Sequence, residues 1–249
     1  MKITAFDNRF IIFPILFLFI YIFAAAIPLG SDIYLKPVWV RAITPDSAQT
    51  ELEGMGSDAK NANQQEAAEQ FVGKTPKVFL TENRFGYFTA NGELLRSSPV
   101  TQRISASPAA WTEYGSDAYK TPIYRPDGSL ITVIEEQGFV YIDEGRFYLF
   151  EPGGNAVKQY DTDGKPRWRY LHTAPITAFH STESGVIIGF SDGKLVALDS
   201  AGNVLSDFYP GGSDYQVILG AALSTDGKLA ACVCGIDSQR ALLIRIDGN

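Results

Sequence analysis

The sequence predicts an all-β fold built from repeated, four-stranded antiparallel units and preceded by one N-terminal transmembrane helix. Three observations support this prediction. An uncharged apolar stretch of twenty residues lies near the N-terminus. After Lys74, short runs of alternating apolar residues are separated by Asp-Gly and Asn-Gly turns, which is typical of antiparallel hairpins. One of these hairpins, at residues 191–209, is similar to other segments of the chain, and such self-similarity indicates a repeat architecture.

The apolar stretch runs from Phe10 to Leu29 and follows Lys2 and Arg9. At 1.5 Å per residue it matches a hydrocarbon core of about 30 Å, which favours an uncleaved anchor with Trp39 near the lipid–water interface. A cleaved signal peptide that ends at the alanines of residues 24–26 is the alternative. Both interpretations send the remainder across a membrane. We therefore expect a single-pass protein of the inner (cytoplasmic) membrane, with its β-domain on the periplasmic side.

The chain divides by composition into three segments. Residues 1–31 form the anchor or signal segment. Residues 32–75 form a polar tether that is rich in Ala, Gln, Glu and Asn and is too polar to fold alone. Residues 76–249 carry the β-repeats. The net charge of −7, with six acids against one base between residues 45 and 72, excludes nucleic acid as a partner, because that needs a clustered basic face.

The hairpin GKLVALDSAGNVLSDFY aligns with GRFYLFEPGGNAVKQYD at residues 145–161 and with ALLIRIDGN at residues 241–249. The aligned glycines Gly154, Gly202 and Gly248 are 48 and 46 residues apart. Four strands in about 45 residues is the period of a β-propeller blade, whereas a plain β-sandwich lacks such self-similarity. Because residues 78–249 hold under four such periods, we expect a partial propeller of about three to four blades that is truncated at its C-terminus.

Propeller blades stack face to face, so this fold also predicts which side chains are buried. Residues 186–189 should form an inner strand that is covered on both faces. Leu195, Ala197 and Val204 of the repeated hairpin should be buried against neighbouring strands or sheets.

The segment GKLVALDSAGNVLSDF resembles the quinoprotein-type (PQQ-like) propeller repeat, and TDGKPRWRY at residues 162–170 supplies its Gly-Lys-x-x-Trp ending. The chain is also similar to WD-type propellers, although it has no Gly-His or Trp-Asp dipeptide. The resemblance implies a β-propeller over residues 78–249. Quinoprotein enzymes bind their quinone in a ring of about eight blades with stacking aromatics and a calcium site. This chain matches neither their adjacent cysteine pair nor their calcium ligands, so we expect no cofactor.

Few side chains could carry out chemistry, and their settings favour structural roles. His172 and His180 are the only histidines, and both are better explained as hydrogen-bonded structural imidazoles than as proton carriers. The DTDG segment at residues 161–164 begins like a calcium loop but lacks the distal ligands, so we interpret it as a turn. Ser181 and Ser184 have no nucleophile-elbow setting.

Two further residue pairs have structural interpretations. Cys232 and Cys234 lie on one face of a strand, where an i,i+2 disulfide would be strained, so we expect buried free thiols. Trp111 and Trp168 are interpreted as residues that pack between blades. We therefore predict no catalytic residue, no cofactor-binding residue and no metal ligand.

Two functions remain. The favoured one is a membrane-tethered, extracytoplasmic β-propeller that acts as a non-catalytic protein-interaction or scaffold module with unidentified protein partners, and that contacts the membrane through Phe10–Leu29. The alternative is the N-terminal part of a propeller enzyme, a hydrolase or a quinoprotein-like oxidoreductase, whose active groups lie in a missing C-terminal part. The absence of a catalytic motif in the sequence favours the non-enzyme.

Overall fold

The computed structural model describes residues 9–26, 37–43 and 69–246. The chain forms two compact units, Met1–Val40 and Arg41–Asn249. The described part of the first unit contains a helix, and the described part of the second contains the β-strands.

The helix of the first unit, α1 (Arg9–Ala26), has 18 residues with Pro14 inside it. Residues 27–29, which complete the predicted span, lie outside the described residues. Within residues 9–26, 37–43 and 69–246, no helix is both long and apolar enough to cross a membrane. The predicted transmembrane helix from Phe10 to Leu29 is therefore not found.

The strands within residues 69–246 of the second unit form five antiparallel sheets, numbered here in chain order. Sheet 1 contains β1 (Lys77–Leu80), β2 (Arg84–Phe88) and β3 (Leu94–Pro99). Sheet 2 contains β4 (Arg103–Ala106), β5 (Trp111–Tyr114), β6 (Thr121–Tyr124) and β7 (Leu130–Ile134). Sheet 3 contains β8 (Phe139–Asp143), β9 (Arg146–Phe150), β10 (Ala156–Tyr160) and β11 (Pro166–Leu171). Sheet 4 contains β12 (Ile176–Thr182), β13 (Gly185–Phe190), β14 (Leu195–Asp199) and β15 (Val204–Phe208). Sheet 5 contains β16 (Ile218–Leu223), β17 (Leu229–Cys234) and β18 (Arg240–Arg245).

Every sheet is a meander in which each strand pairs with the next strand of the chain. The turns between them use the predicted glycine chemistry. In the β14–β15 hairpin, Gly202 has a φ of 87°, and its N–H donates to the carbonyl of Asp199 at 3.0 Å. A residue with a Cβ is strained at this φ, which explains the glycine. The predicted all-β fold is confirmed, and sheets 2, 3 and 4 are the predicted four-stranded antiparallel units, whereas the described residues of sheets 1 and 5 form three strands each.

The core consists of four apolar clusters, one between each pair of consecutive sheets. The strand β13 shows how this arrangement buries both faces of a sheet. Val186 and Ile188 pack in the cluster between sheets 3 and 4, while Ile187 packs in the cluster between sheets 4 and 5. Every residue of β13 is buried. The prediction of an inner strand at residues 186–189 is confirmed.

The number of repeats differs from the prediction. The first strands β4, β8, β12 and β16 begin 36 to 42 residues apart, so the region holds five sheets rather than three to four blades. The hairpin at residues 191–209 is β14–β15, the third and fourth strands of sheet 4. The hairpin aligned with it, at residues 145–161, is β9–β10, the second and third strands of sheet 3. Because that alignment is offset by one strand, its spacing of 48 residues overestimates the repeat.

The repeated hairpin is buried on only one of its strands. Leu195 and Ala197 of β14 are buried in the cluster between sheets 4 and 5, as predicted. Val204 of β15 is 53% exposed, so its predicted burial is wrong. The reason is position, because β15 is the last strand of its sheet and pairs only with β14.

Residues on either side of the undescribed segment 44–68 contact sheet 1. Arg41 Nε donates to the carbonyl of Gly92 at 3.2 Å. The ring of Phe71 meets that of Tyr87 edge-on at a centroid distance of 6.1 Å. Arg41 and Phe71 both belong to residues 32–75, which the composition assigns to the polar tether. The first β-strand begins at Lys77, just after this segment.

Candidate functional site

A cleft of about 590 Å³ opens at one end of sheets 2, 3 and 4. Its walls come from the starts of β4, β8 and β12 and from the ends of β5 and β9. Antiparallel strands alternate in direction, so the starts of first strands and the ends of second strands lie at the same end of a meander. The topology therefore brings segments that are distant in sequence to one opening.

A row of four aromatic rings lines the cleft and crosses all three sheets. Ring centroids are 5.7 Å apart for Tyr114 and Phe139, 5.7 Å for Phe139 and Phe150, and 5.1 Å for Phe150 and Phe179. Phe139 and Phe150 are direct partners in the β8–β9 ladder, which places them side by side on one face. Phe139 is 42% exposed, whereas Tyr114 is buried. The Phe139 ring is therefore accessible at the opening and is packed against the other rings of the row.

The polar part of the lining surrounds this row. Arg103, Asp117 and Thr177 are exposed, and Gln137 and Glu151 are partly buried. An apolar centre with a polar rim is the usual anatomy of a protein-binding surface.

Two titratable groups of the cleft, Tyr114 and Glu151, have pKa values shifted further from neutral pH. Burial raises the pKa of Tyr114 to about 12, so its phenol is neutral at physiological pH. Glu151 accepts two hydrogen bonds from the Arg169 guanidinium, at 2.6 and 2.7 Å. Its carboxylate also lies 3.4 Å from Lys158 Nζ. The hydrogen bonds from Arg169 first, and then the Lys158 charge, hold the pKa of Glu151 below its usual range. A general acid or base works best with a pKa near the operating pH, and neither group meets that condition.

The two histidines make separate structural contacts. His180 Nδ1 accepts a hydrogen bond from the Leu223 N–H at 3.1 Å and so joins β12 and β16, the first strands of sheets 4 and 5. His172 Nε2 lies 2.7 Å from an oxygen of Asp192, and its ring meets Phe190 edge-on at 4.5 Å. Neither histidine lines the cleft.

The remaining polar candidates also have local partners. Asp161 Oδ1 accepts hydrogen bonds from the N–H groups of Asp163 and Lys165 at 2.9 and 2.8 Å, so the DTDG segment closes a turn. The Ser181 hydroxyl donates to Asp143, and that of Ser184 donates to the carbonyl of Thr225. No group of three or more His, Cys, Asp or Glu side chains within the described ranges is arranged to hold a metal ion.

The cysteines and tryptophans occupy the packing positions predicted for them. Cys232 and Cys234 are free thiols buried between sheets 4 and 5. The Trp111 ring stacks on Tyr124 at 4.8 Å between sheets 1 and 2. Trp168 packs between sheets 3 and 4, where its ring lies 6.1 Å from that of Tyr148.

None of the cleft residues is a candidate in the sequence analysis. Phe139, Phe150 and Phe179 lie in ordinary apolar runs. Phe139 begins β8, Phe150 ends β9 and Phe179 lies in the middle of β12, and only the assembled sheets bring them together. Tyr114 and Phe150 are each the last residue of the second strand of their sheet, and this recurrence is the available signal. To recognise this signal one must know which strand of one unit corresponds to which strand of the next. The alignment of the two hairpins is offset by one strand and does not give that correspondence.

Comparison with known proteins agrees with this architecture. A family model described as a beta-propeller protein matches residues 1–249. An uncharacterized protein of Treponema pallidum (strain Nichols) is 46% identical over 246 residues, which cover 99% of this chain and 63% of the relative. The chain thus spans less than two thirds of the length of that relative.

Among solved structures, Hsv2p of Kluyveromyces lactis is similar with a TM-score of 0.55 and 13% identity, over 71% of this chain and 60% of that one. Hsv2 of Kluyveromyces marxianus is similar with a TM-score of 0.53 and 16% identity, over 71% and 61% of the two chains. At such identities the likeness concerns the fold alone. From the stacked antiparallel sheets, the family match and the Treponema relative, we conclude that the chain belongs to a β-propeller protein family.

Proposed function

We propose that this β-propeller is a non-catalytic protein-interaction module and that its partner binds in the cleft of sheets 2, 3 and 4. The observation that carries the proposal is the row of four aromatic rings with exposed Phe139 at the opening. In protein interfaces a few residues in well-packed pockets supply most of the binding energy, and aromatic residues are enriched at such interfaces. At about 590 Å³ the cleft has the size of a ligand site and has room for an inserted side chain.

The rim favours a polypeptide partner with mixed polarity. The exposed side chains Arg103 and Asp117 carry opposite charges on the same opening. Charges on the rim can orient the partner while its apolar part contacts the centre of the cleft. In general, rim charges affect the specificity and the association rate of binding more than the affinity. The resemblance to the quinoprotein-type repeat supports the blade architecture only, because the residues that hold a quinone in those enzymes have no match in this sequence.

Site-specific photo-crosslinking tests the cleft. A photoreactive phenylalanine analogue is introduced at position 139 of the full-length protein in its native cells. We expect it to form a discrete adduct with one partner protein. The matched control is the same analogue at Leu171, which is 53% exposed and does not line the cleft. The adduct should weaken when Arg103→Glu reverses the rim charge. Equal adducts at both positions, or none at position 139, would contradict the proposal.

We also propose that the β-domain works on the extracytoplasmic side of the inner membrane. The support is the uncharged segment from Phe10 to Leu29, which has the composition of an export signal. Protease added to intact spheroplasts is expected to digest the β-domain and to leave a cytoplasmic marker untouched. Digestion only after lysis would place the domain on the other side.

A further inference from the structure

A second pocket, of about 200 Å³, lies between sheets 3 and 4 at the end opposite to the cleft. Its lining includes Arg146 at the start of β9, Thr182 at the end of β12 and Asp199 at the end of β14. The cleft instead uses the ends of β9 and the starts of β8 and β12. The pocket is therefore a separate site, and it is smaller than a typical site for a drug-sized ligand.

Three polar side chains cross one wall of the pocket in register. Tyr148 of β9, Gln159 of β10 and Trp168 of β11 are successive cross-strand partners, so they lie side by side on the same face of sheet 3. That face packs against sheet 4, because Tyr148 and Trp168 belong to the apolar cluster between the two sheets. All three residues line the pocket.

Two polar atoms of this row are buried without a partner. Gln159 is 5% exposed, and its Oε1 accepts no hydrogen bond from the described residues. Trp168 Nε1 is also buried and donates none within the same part of the chain. A buried polar group without a partner lowers the stability of the folded state by about 1–3 kcal/mol. Two such groups on adjacent strands therefore destabilise the fold if their residues serve only to line the pocket.

The chemistry of the pair limits the ligand. The carbonyl oxygen of Gln159 requires a donor, and the indole N–H of Trp168 requires an acceptor. A carboxylate or phosphate would satisfy Trp168 and leave Gln159 unpaired, and an ammonium group would do the reverse. A hydroxyl group satisfies both atoms, since one oxygen donates and accepts.

The charged side chains of the lining favour a neutral ligand. The lining contains two arginines, Arg146 and Arg167, and two carboxylates, Glu183 and Asp199, so its formal charges balance. Arg167 and Glu183 make no ion pair with any other described residue, which leaves a forked donor and a forked acceptor available at the opening. Such groups bind adjacent hydroxyls in pairs.

We propose that this pocket binds a sugar of monosaccharide size through its hydroxyl groups. One hydroxyl donates to Gln159 Oε1 and accepts from Trp168 Nε1. Neighbouring hydroxyls bind Arg167 and Glu183 at the opening. The ligand is a free monosaccharide or the terminal residue of a glycan, because both present the same hydroxyls.

The test is titration of the full-length protein with sugars, monitored by saturation-transfer NMR and by thermal unfolding. The probes are glucose, N-acetylglucosamine and their β-1,4-linked trimers, with acetamide and inorganic phosphate as comparators. We expect one of the sugars to bind. Tighter binding of the monosaccharide than of its trimer identifies a free sugar as the ligand, and the reverse identifies a glycan terminus. No sugar binding, or stronger binding of acetamide or phosphate, overturns the proposal.

Two variants connect binding to the unpaired atoms. Gln159→Leu and Trp168→Phe should each weaken sugar binding by about tenfold or more, because each leaves a hydroxyl group unpaired in the pocket. Without sugar, Gln159→Leu should raise the melting temperature, since the unpaired amide is removed. If Gln159→Leu lowers the melting temperature and sugar binding is unchanged, a bridging water only occupies the pocket and the proposal fails.

The matched control is Thr121→Val in sheet 2. Thr121 Oγ1 is a third buried atom with no partner among the described residues, and it lies outside the pocket. This variant should raise the melting temperature by the same mechanism and leave sugar binding unchanged. A loss of sugar binding in Thr121→Val would mean that the effects of the pocket variants are not local.

Discussion

Ile187→Asp is expected to lower the free energy of unfolding by about 4 kcal/mol or more. Ile187 is 1% exposed and lies in the cluster between sheets 4 and 5, between cross-strand partners His180 and Ala197. An aspartate there either buries an unpaired carboxylate or takes up a proton, and both cost free energy. Chemical denaturation of the purified protein measures the effect.

Val204→Asp is the matched control for this prediction. It introduces the same side chain on the outer strand of the same sheet, at a position that is 53% exposed. Its cost should stay within about 1 kcal/mol, because the carboxylate remains hydrated. Equal unfolding free energies for the two variants would contradict the face-to-face packing of sheets 4 and 5.

Trp111→Ala should lower the free energy of unfolding by about 3–5 kcal/mol. The Trp111 ring contacts Tyr124 and Phe85 at centroid distances of 4.8 and 4.9 Å, and its Nε1 donates to the carbonyl of Arg125 at 2.9 Å. The guanidinium of Arg96 lies 4.4 Å from the ring centroid, in a cation–π contact. Removal of the indole therefore opens a cavity and also deprives Arg96 of that contact.

The environment of Arg96 makes this loss larger than the cavity alone. Arg96 is partly buried, and this burial lowers its pKa. Trp111→Phe keeps an aromatic face under the guanidinium, so it should recover about half of the lost stability or more. Tyr119→Ala, at an exposed position in the same sheet's β5–β6 connection, is the control and should be close to neutral. Similar melting temperatures for Trp111→Ala and Tyr119→Ala would contradict the packing described between sheets 1 and 2.

Local features of the fold were predictable from the sequence because they depend on neighbouring residues. The turn at Gly202 and the two-sided burial of β13 follow from a glycine position and from a short, continuous apolar run. The phase of the repeat was not predictable in this way. Second-and-third and third-and-fourth strand hairpins have the same alternating pattern, so the segments at residues 145–161 and 191–209 align well although they occupy different places in their sheets.

The sites were less predictable than the fold because they depend on contacts between sheets. Phe139 and Phe179 line one cleft although forty residues separate them in the chain. Whether Gln159 Oε1 and Trp168 Nε1 find partners among the described residues depends on which polar groups of sheet 4 lie against the face of sheet 3. Nothing in the local sequence of either residue contains that information. Val204 illustrates the same limit, since alternation predicts which face it lies on and not whether another sheet covers it.

The cluster between sheets 3 and 4 connects the two proposed sites. Tyr148, which lines the pocket, meets Phe179, which lines the cleft, edge-on at a centroid distance of 4.9 Å. If a ligand at one end shifts this ring pair, the two binding equilibria become thermodynamically linked. Such linkage is reciprocal. If a partner in the cleft changes the affinity of the pocket for sugar by some factor, sugar in the pocket changes the affinity of the cleft for the partner by the same factor. The binding of a small molecule in the pocket would then change the affinity of the cleft for its protein partner.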